Sequence, residues 1–171
     1  MQARLTLQQA PIAADTTTLR SLDWDRSRFD IEFGLRNGTT YNAFLVRGER
    51  TALIDSSHAK FRDSWIPKLK ELVDPSSIDY LIVSHTEPDH SGLIADLLEL
   101  NPELEVIGSK VAINYLQNQV HRPFKSRPVK SGDSLELGTN PDSGTEHRFE
   151  FLSAPNPVSY THLTLPTICS V

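Results

Sequence analysis

The fold of this chain is indicated by one stretch, residues 80–92, which reads Tyr80-Leu81-Ile82-Val83-Ser84-His85-Thr86-Glu87-Pro88-Asp89-His90-Ser91-Gly92. Its first four residues predict a buried strand. Four side chains that can bind a metal follow within six residues, namely His85, Glu87, Asp89 and His90. So dense a motif directly after a buried strand predicts a metal site. The alternative is a solvated turn in which imidazoles and carboxylates neutralise one another.

The spacing of these four residues favours a two-metal site. In an extended loop His85, Glu87 and Asp89 would point the same way, and His90 could reach the other side of the cavity. Pro88 restricts the loop, and Gly92 would let the chain turn into a helix without crowding the site. Imidazole with carboxylate suits Fe, Zn or Mn. The single cysteine, Cys169, excludes a thiolate-rich site and an internal disulfide.

The hydrophobic pattern on both sides of this motif alternates between strand and helix signals, which predicts an α/β layered fold. We expect two strands within Phe29–Arg47 joined by a tight turn at Asn37-Gly38. We expect a helix over Ala59–Val73, capped by Ser56 or Ser57 and either kinked or divided at Pro67. The further predicted strands are Thr51–Asp55, Ile78–Val83, Leu104–Gly108, Ser134–Leu137 and Arg148–Leu152, and the further predicted helices are Leu93–Leu100 and a helix from Ser109 to Val120.

Composition excludes several classes of protein. The length of 171 residues favours one domain, and 38% hydrophobic with 23% charged residues suits a globular chain. A net charge of −5 argues against nucleic acid or an anionic membrane as a partner. The sequence has neither a stretch long enough to span a bilayer nor a signal-peptide core, so we expect a cytoplasmic protein.

The motif also carries a resemblance to a known family. A strand followed by His-x-Glu-x-Asp-His resembles the metal loop of the metallo-β-lactamase-like fold. Hydrolases of that superfamily usually have His where this chain has Glu87, and the Glu form resembles the flavodiiron proteins. Similar stretches include Ser21–Asp25, Asn37–Asn42 and Gly108–Ile113. The resemblance covers roughly residues 15–156 and is strongest to the diflavin flavoproteins of oxygenic phototrophs.

This resemblance implies a fold, a reaction and a set of ligands. The fold would be an αββα sandwich, of which the chain holds roughly the first half. A non-haem diiron site would reduce O₂, or NO in some members, with electrons from FMN and ultimately NAD(P)H. His85 and Glu87 would bind one iron, and Asp89 and His90 the other. FMN would lie in a following domain that is absent here, and the protein would be a homo- or heterodimer with a related flavodiiron subunit.

The resemblance ends near residue 156. The family continues there with a His at a third-ligand position, which Val158 occupies here, and its remaining ligands lie further on. Residues 157–171 instead resemble a translated sequencing adapter, so we expect a non-native tail in which His162 is accidental. The expected division is a mobile lead-in at 1–18, a partial metallo-β-lactamase-like domain at 19–156, and the tail at 157–171.

Two other functions remain open. One is a dinuclear zinc hydrolase of the same superfamily, against which Glu87 argues, and the other is a catalytically inactive metal-binding fragment. Asp55 and His58 could orient ligands, or Asp55 could cap the next helix with His58 in its exposed first turn. We expect His121 to complement a helix dipole and His147 to lie at the surface.

Overall fold

The computed structural model describes residues 4–29, 33–153 and 163–164, with burial described for 4–28 and 34–153. Within these ranges no helix combines the length and the apolar character that a bilayer crossing needs. Of the residues discussed above, Val158, His162 and Cys169 lie outside the described part, as does most of the expected tail. Leu163–Thr164 is described and pairs with Leu152–Ser153.

The described elements alternate between strands and helices. The strands are β1 (Leu5–Ala13), β2 (Thr16–Asp23), β3 (Arg28–Phe29), β4 (Phe33–Gly34), β5 (Thr39–Arg47), β6 (Thr51–Ile54), β7 (Tyr80–Ile82), β8 (Glu105–Ser109), β9 (Ser126–Val129), β10 (Ser134–Thr139), β11 (Glu146–Glu150), β12 (Leu152–Ser153) and β13 (Leu163–Thr164). The helices are α1 (Arg62–Leu72), α2 (Pro88–Ser91), α3 (Ile94–Leu100) and α4 (Lys110–Val120), with 3-10 turns at Ala59–Phe61 and Pro75–Ser77.

Seven strands form the main sheet, in the order β1-β2-β5-β6-β7-β8-β9. The pairs from β1 to β6 are antiparallel, and those from β6 to β9 are parallel. Parallel neighbours need crossover connections, which are supplied here by α1, by α2 with α3, and by α4. The predicted α/β class is therefore confirmed.

The sheet buries both faces because its central strands carry buried apolar side chains on both of them. Leu53, Leu81 and Val106 face a core that includes Trp65 of α1, together with residues of α3 and α4. The alternate side chains of the same strands point to the other face of the sheet. There they pack against the β10–β11 hairpin, whose inward side chains include Leu135, Leu137, Phe149 and Phe151. The sheet thus has helices on one side and the beginning of a second β layer on the other.

The positions of the helices agree with the predictions better than the identities of their N-cap residues do. Ser109 caps α4 as expected, because its Oγ accepts a hydrogen bond from the backbone N–H of Ala112 (3.1 Å). The predicted cap at Ser56 or Ser57 is wrong, since His58 instead caps a 3-10 turn that precedes α1. Pro67 lies inside one continuous helix, so it starts no second segment.

The expected mobile lead-in at residues 1–18 is wrong for residues 5–13 and 16–18. Leu5–Ala13 forms strand β1 and pairs along β2, from Leu5 opposite Asp23 to Ala13 opposite Thr16. Leu5 and Leu7 pack against the core on the helix side. Backbone pairing with β2 therefore orders a segment whose side-chain pattern is too uneven to predict a strand.

The predicted hairpin at Asn37-Gly38 is also wrong. Strand β5 pairs with β2 and β6, whereas β4 pairs with β3; residues 30–32, in the predicted first strand, lie outside the described part. Gly38 does have the positive φ that Asn-Gly favours (73°). Glycine is needed at this position because the backbone passes close to Asp23: a Cβ on Gly38 would lie 2.0 Å from the Asp23 carbonyl oxygen. The turn thus brings β5 against the end of β2.

Candidate metal centre

The carboxyl ends of β6 and β7 bring the candidate residues to one edge of the sheet, which we call the carboxyl edge. Asp55 follows β6, and residues 84–92, the donor loop, follow β7. Because these strands are parallel and adjacent, their ends meet at the same place. Crevices at the carboxyl ends of strands are the usual ligand sites of open α/β sheets.

The prediction of an extended donor loop is wrong for its second half. Residues 85–87 are irregular, and Pro88–Ser91 forms the helical turn α2 with Pro88 in its first turn. Proline is compatible with that position because its fixed φ suits a helix start and no N–H is needed there. Asp89 and His90 are therefore adjacent positions of a helical turn, and the predicted metal-binding role of the four side chains stays a prediction.

The four side chains come together as two mixed pairs. His85 Nε2 lies 3.0 Å from Glu87 Oε1, and His90 Nε2 lies 3.7 Å from Asp89 Oδ2. The rings of the two histidines meet edge to face, with centroids 5.3 Å apart. Each pair thus offers one imidazole nitrogen and one carboxylate oxygen, and the two pairs adjoin.

The donor chemistry fits iron or zinc, since both accept imidazole nitrogen and carboxylate oxygen. Within the described ranges, however, no three His, Cys, Asp or Glu side chains converge on a single point that could hold an ion. The arrangement therefore offers two separate pairs of donors, and the described residues form no complete site for an ion. It does not fit one ion held by all four side chains.

Asp55 fixes the orientation of one donor. His90 Nδ1 lies 2.9 Å from Asp55 Oδ2, and a carboxylate can only accept, so Nδ1–H is the donor. The other carboxylate oxygen accepts the backbone N–H of Ser84 (2.8 Å), and the Ser84 hydroxyl also donates to Asp55. His90 therefore presents the lone pair of Nε2 on the side of Asp89. The predicted orienting role of Asp55 agrees with these contacts, and its alternative as a helix cap does not.

Charge around His90 changes its pKa in two directions. Burial lowers the pKa of His90, but the hydrogen bond and charge of Asp55, with smaller effects of Asp89 and Glu87, raise it above its usual range overall. The imidazole therefore lies in a strongly negative environment. Such an environment attracts a metal cation as well as a proton.

Residues 55–60, which we call the support loop, hold the donor loop in place. The backbone N–H and the hydroxyl of Ser56 both donate to the carbonyl oxygen of His90, each at 2.7 Å. Gly92 lies so close to this loop that a Cβ would be 2.8 Å from Ser57 O and 2.7 Å from Ala59 N. Gly92 has an ordinary helical φ of −64°, so glycine is needed here for close packing.

A buried polar cluster in turn ties the support loop to the sheet. Asp23 is 2% exposed, accepts a hydrogen bond from Tyr41 Oη (2.7 Å) and forms an ion pair with Lys60. Burial would raise the pKa of Asp23, but the hydrogen bonds from Lys60 and Tyr41 and the charge of Lys60 lower it overall. The hydroxyls of Ser21 and Ser57 form a second buried link (2.7 Å).

The remaining predicted histidines lie away from this edge. His121 is the C-cap of α4 in a left-handed conformation (φ 53°), and its role at the helix dipole stays a prediction. The surface prediction for His147 is wrong, since this residue is 4% exposed and lies 3.0 Å from Asp15. That contact joins residues 132 positions apart, so the local sequence carries no sign of it.

Sequence reasoning missed Asp23, Tyr41, Lys60 and Ser56. One signal was available: Leu19, Ser21 and Asp23 alternate on the same face of β2, so a strand assignment would have put a carboxylate on the buried side. The partners of Asp23 come from β5 and from the support loop. Their convergence depends on the tertiary fold.

The chain is similar to known proteins in sequence and in fold. Residues 39–162 match the model of the ODP family β-lactamase. A Synechocystis sp. protein named as a diflavin flavoprotein is 64% identical over 156 residues, covering 91% of this chain and 26% of that protein. The chain therefore spans about a quarter of the length of such curated relatives.

Two solved structures share the fold. The metal-soaked flavodiiron core of Synechocystis sp. Flv1 superposes with a TM-score of 0.83 at 32% identity, covering 94% of this chain and 39% of that one. Rubredoxin oxygen:oxidoreductase of Desulfovibrio gigas gives a TM-score of 0.78 at 26% identity, covering 91% and 37%. These likenesses identify the mixed sheet as part of a metallo-β-lactamase-like domain.

Proposed function

Because the chain belongs to the flavodiiron proteins, within their ODP family β-lactamase domain, we propose that it is part of an oxidoreductase whose paired irons reduce O₂ or NO. The observation that carries this proposal is the pairing of one imidazole with one carboxylate, twice, at the carboxyl edge. Paired donors of this kind suit two neighbouring metal ions better than one.

In this proposal His85 and Glu87 bind one iron, and Asp89 and His90 bind the other. When bound, the two irons would supply electrons for the reduction of a small oxygen-containing substrate. The carboxylates favour the ferric state because hard oxygen donors stabilise the higher charge. The further ligands that each pair needs would come from chain beyond residue 156.

The other residues of the carboxyl edge would orient the metal-binding side chains and would not bind metal themselves. Asp55 keeps the proton of His90 on Nδ1, so that Nε2 is available without a change of tautomer. The helical turn α2 fixes the angle between Asp89 and His90. The support loop holds that turn by its contacts with the His90 carbonyl and with Gly92.

Electrons would reach the site from FMN in a following domain, and ultimately from NAD(P)H. The subunits would pair as a homodimer or with a related flavodiiron chain. These parts of the proposal rest on relatives that are about four times as long as the matched segment.

The test uses the longer natural protein that contains this segment, purified anaerobically. We expect about two irons per chain, bound FMN, and O₂ or NO consumption on addition of NAD(P)H. Two zinc ions without flavin, together with ester or thioester cleavage, would instead identify the dinuclear zinc hydrolase. A variant with Glu87→His is the matched control, since it restores the hydrolase pattern and should shift metal content from iron towards zinc.

A further inference from the structure

His58 is a third histidine at the carboxyl edge and is not one of the four donors. It caps the 3-10 turn at Ala59–Phe61, in the support loop. The neighbouring Ala59 backbone nitrogen lies 2.7 Å from the place of a Cβ on Gly92, so this part of the support loop touches the end of α2. His58 therefore lies beside the turn that carries Asp89 and His90.

The ring of His58 is held in one tautomer. Its Nδ1 accepts a hydrogen bond from the backbone N–H of Lys60 (3.2 Å), so Nδ1 carries no proton. The ring also stacks on Tyr41, with centroids 6.2 Å apart and planes at 28°. Tyr41 is itself fixed by its hydrogen bond to Asp23 (2.7 Å). The remaining nitrogen, Nε2, must then carry the proton of the neutral ring.

The surroundings keep this ring neutral. Burial lowers the pKa of His58, the charges of Lys60 and Arg26 lower it further, and the acids nearby only partly oppose them. Among those acids Asp89 has the larger effect and Asp23 the smaller. His58 is thus a neutral N–H donor within the electrostatic field of Asp89, not a second cation at the edge.

The Nε2–H group has no acceptor among the residues that the structure describes, whereas Nδ1 has one. We propose that His58 donates this hydrogen bond to a small ligand with an oxygen or nitrogen donor atom that is bound beside Asp89. Water, hydroxide or azide would be of this class. The proposal rests on the proposed function, because a metal at Asp89 and His90 is what would hold such a ligand.

The first experiment follows, by NMR, the ring nitrogens of the longer natural protein that contains this segment, labelled with ¹⁵N-histidine and freed of bound metal. At pH 7 we expect His58 with Nδ1 unprotonated and Nε2 protonated; the reverse tautomer would overturn the proposal. On addition of Zn²⁺ and azide, the Nε2–H signal of His58 should move downfield and exchange more slowly with water. The same addition to Asp89→Asn should leave it unchanged.

This design separates failure of the inference from failure of the proposed function. If His85 and His90 respond to Zn²⁺ but His58 does not respond to azide, His58 has no such role while the metal centre stands. If none of the three histidines responds, the proposed metal centre fails and the inference fails with it.

Two variants separate the donor role from the capping role. His58→Asn keeps an acceptor for the Lys60 N–H but loses the distal donor, and His58→Gln places an amide N–H near the position of Nε2. In the Co²⁺-loaded longer natural protein, azide should bind about 10-fold more weakly to His58→Asn and within about twofold of wild type to His58→Gln. Equal weakening in both variants would assign His58 to the cap alone. His121→Asn, at a left-handed position that Asn tolerates, is the control and should bind azide as wild type does.

Discussion

Charged side chains are arranged differently at the two ends of the parallel strands. At the amino ends, Arg127 forms an ion pair with Glu105 (2.7 Å), and the Arg50 and Arg127 guanidinium groups lie 5.8 and 5.5 Å from the centre of the Tyr80 ring. Arg50 also donates a hydrogen bond to the Tyr80 hydroxyl, so both cations have partners in the fold. At the carboxyl ends, acids outnumber the cations and are gathered beside two imidazoles.

The difference shows which edge is organised for a ligand. Ion pairs on a partly exposed edge contribute little to the stability of the fold, and they leave no excess charge of either sign. The carboxyl edge instead holds its imidazoles and carboxylates in place through buried partners, namely Asp55, Ser56 and the Asp23 cluster. Side chains fixed by surroundings that are themselves buried are typical of metal and catalytic sites.

Replacing Asp55 by Asn should give the largest effect. An amide cannot accept from both Ser84 and His90 Nδ1, so His90 should change tautomer and place its proton on Nε2. We expect a 10- to 100-fold loss of Co²⁺ affinity and a loss of about 3 kcal/mol in the free energy of unfolding. Asn tolerates the left-handed φ of 56° at this position, so the backbone is not strained further.

Asp79→Asn is the matched control at the amino edge, since Asp79 Oδ2 also accepts a backbone N–H, that of Thr51 (2.7 Å). It should lower stability modestly and leave Co²⁺ affinity unchanged. If both variants lost metal affinity equally, the contrast between the two edges would disappear.

Gly92→Ala should be next in size. The new Cβ would lie 2.5 Å from Pro88 O and would also press against backbone atoms of the support loop. Backbone atoms cannot move aside as the end of a flexible side chain can. We expect a cost of about 2 kcal/mol, measured by urea unfolding. Gly34→Ala meets nothing within 4 Å and should be near neutral. Equal stability of the two variants would show that the support loop does not press against α2.

Asp23→Asn should lower stability by about 1 to 2 kcal/mol at pH 7, and the loss should depend on pH. The pKa of Asp23 is lowered in the folded state, so its charge stabilises the fold above the unfolded pKa of about 4. That contribution disappears as pH falls through the folded value. Unfolding curves of wild type and variant should therefore differ at pH 7 and begin to converge only as pH falls below about 4. A difference that is constant with pH would contradict the ion pair with Lys60.

Arg127→Gln should have the smallest effect, about 0.5 kcal/mol in stability, with no change in Co²⁺ affinity. Its side chain is 42% exposed and its partner Glu105 25%, so water screens the pair. Thermal unfolding at low and high salt would check this, because the loss should shrink as salt rises. A large loss of metal affinity would mean that the amino edge supports the site.

The sequence predicts those parts of the molecule that depend on local pattern. Val83 and its apolar neighbours, followed by His85 to His90, locate the strand and the donors, and Ser109 locates the start of α4. Hydrophobic period and capping are properties of neighbouring residues, so they can be recognised without a structure.

Contacts between distant segments could not be predicted in this way. Strand β1 is ordered by β2, and His147 is buried because Asp15 meets it from the other end of the chain. The helical turn at Asp89 and His90 also escaped prediction, since a four-residue segment that begins with a proline fits an extended loop as well as a helix. The sequence therefore identifies the four candidate donors, whose metal-binding role stays a prediction, while their geometry and supporting residues required the fold.

The most direct test of the metal centre is Co²⁺ titration of the longer natural protein that contains this segment, labelled with ¹⁵N-histidine and freed of bound metal, because the paramagnetic ion broadens and shifts the rings that bind it. Ring signals of His85 and His90 should shift strongly and together, and those of His121 and His147, which lie away from the carboxyl edge, should stay in place. Equal shifts at all of these histidines, or none at His85 and His90, would contradict a metal centre built from the donor loop.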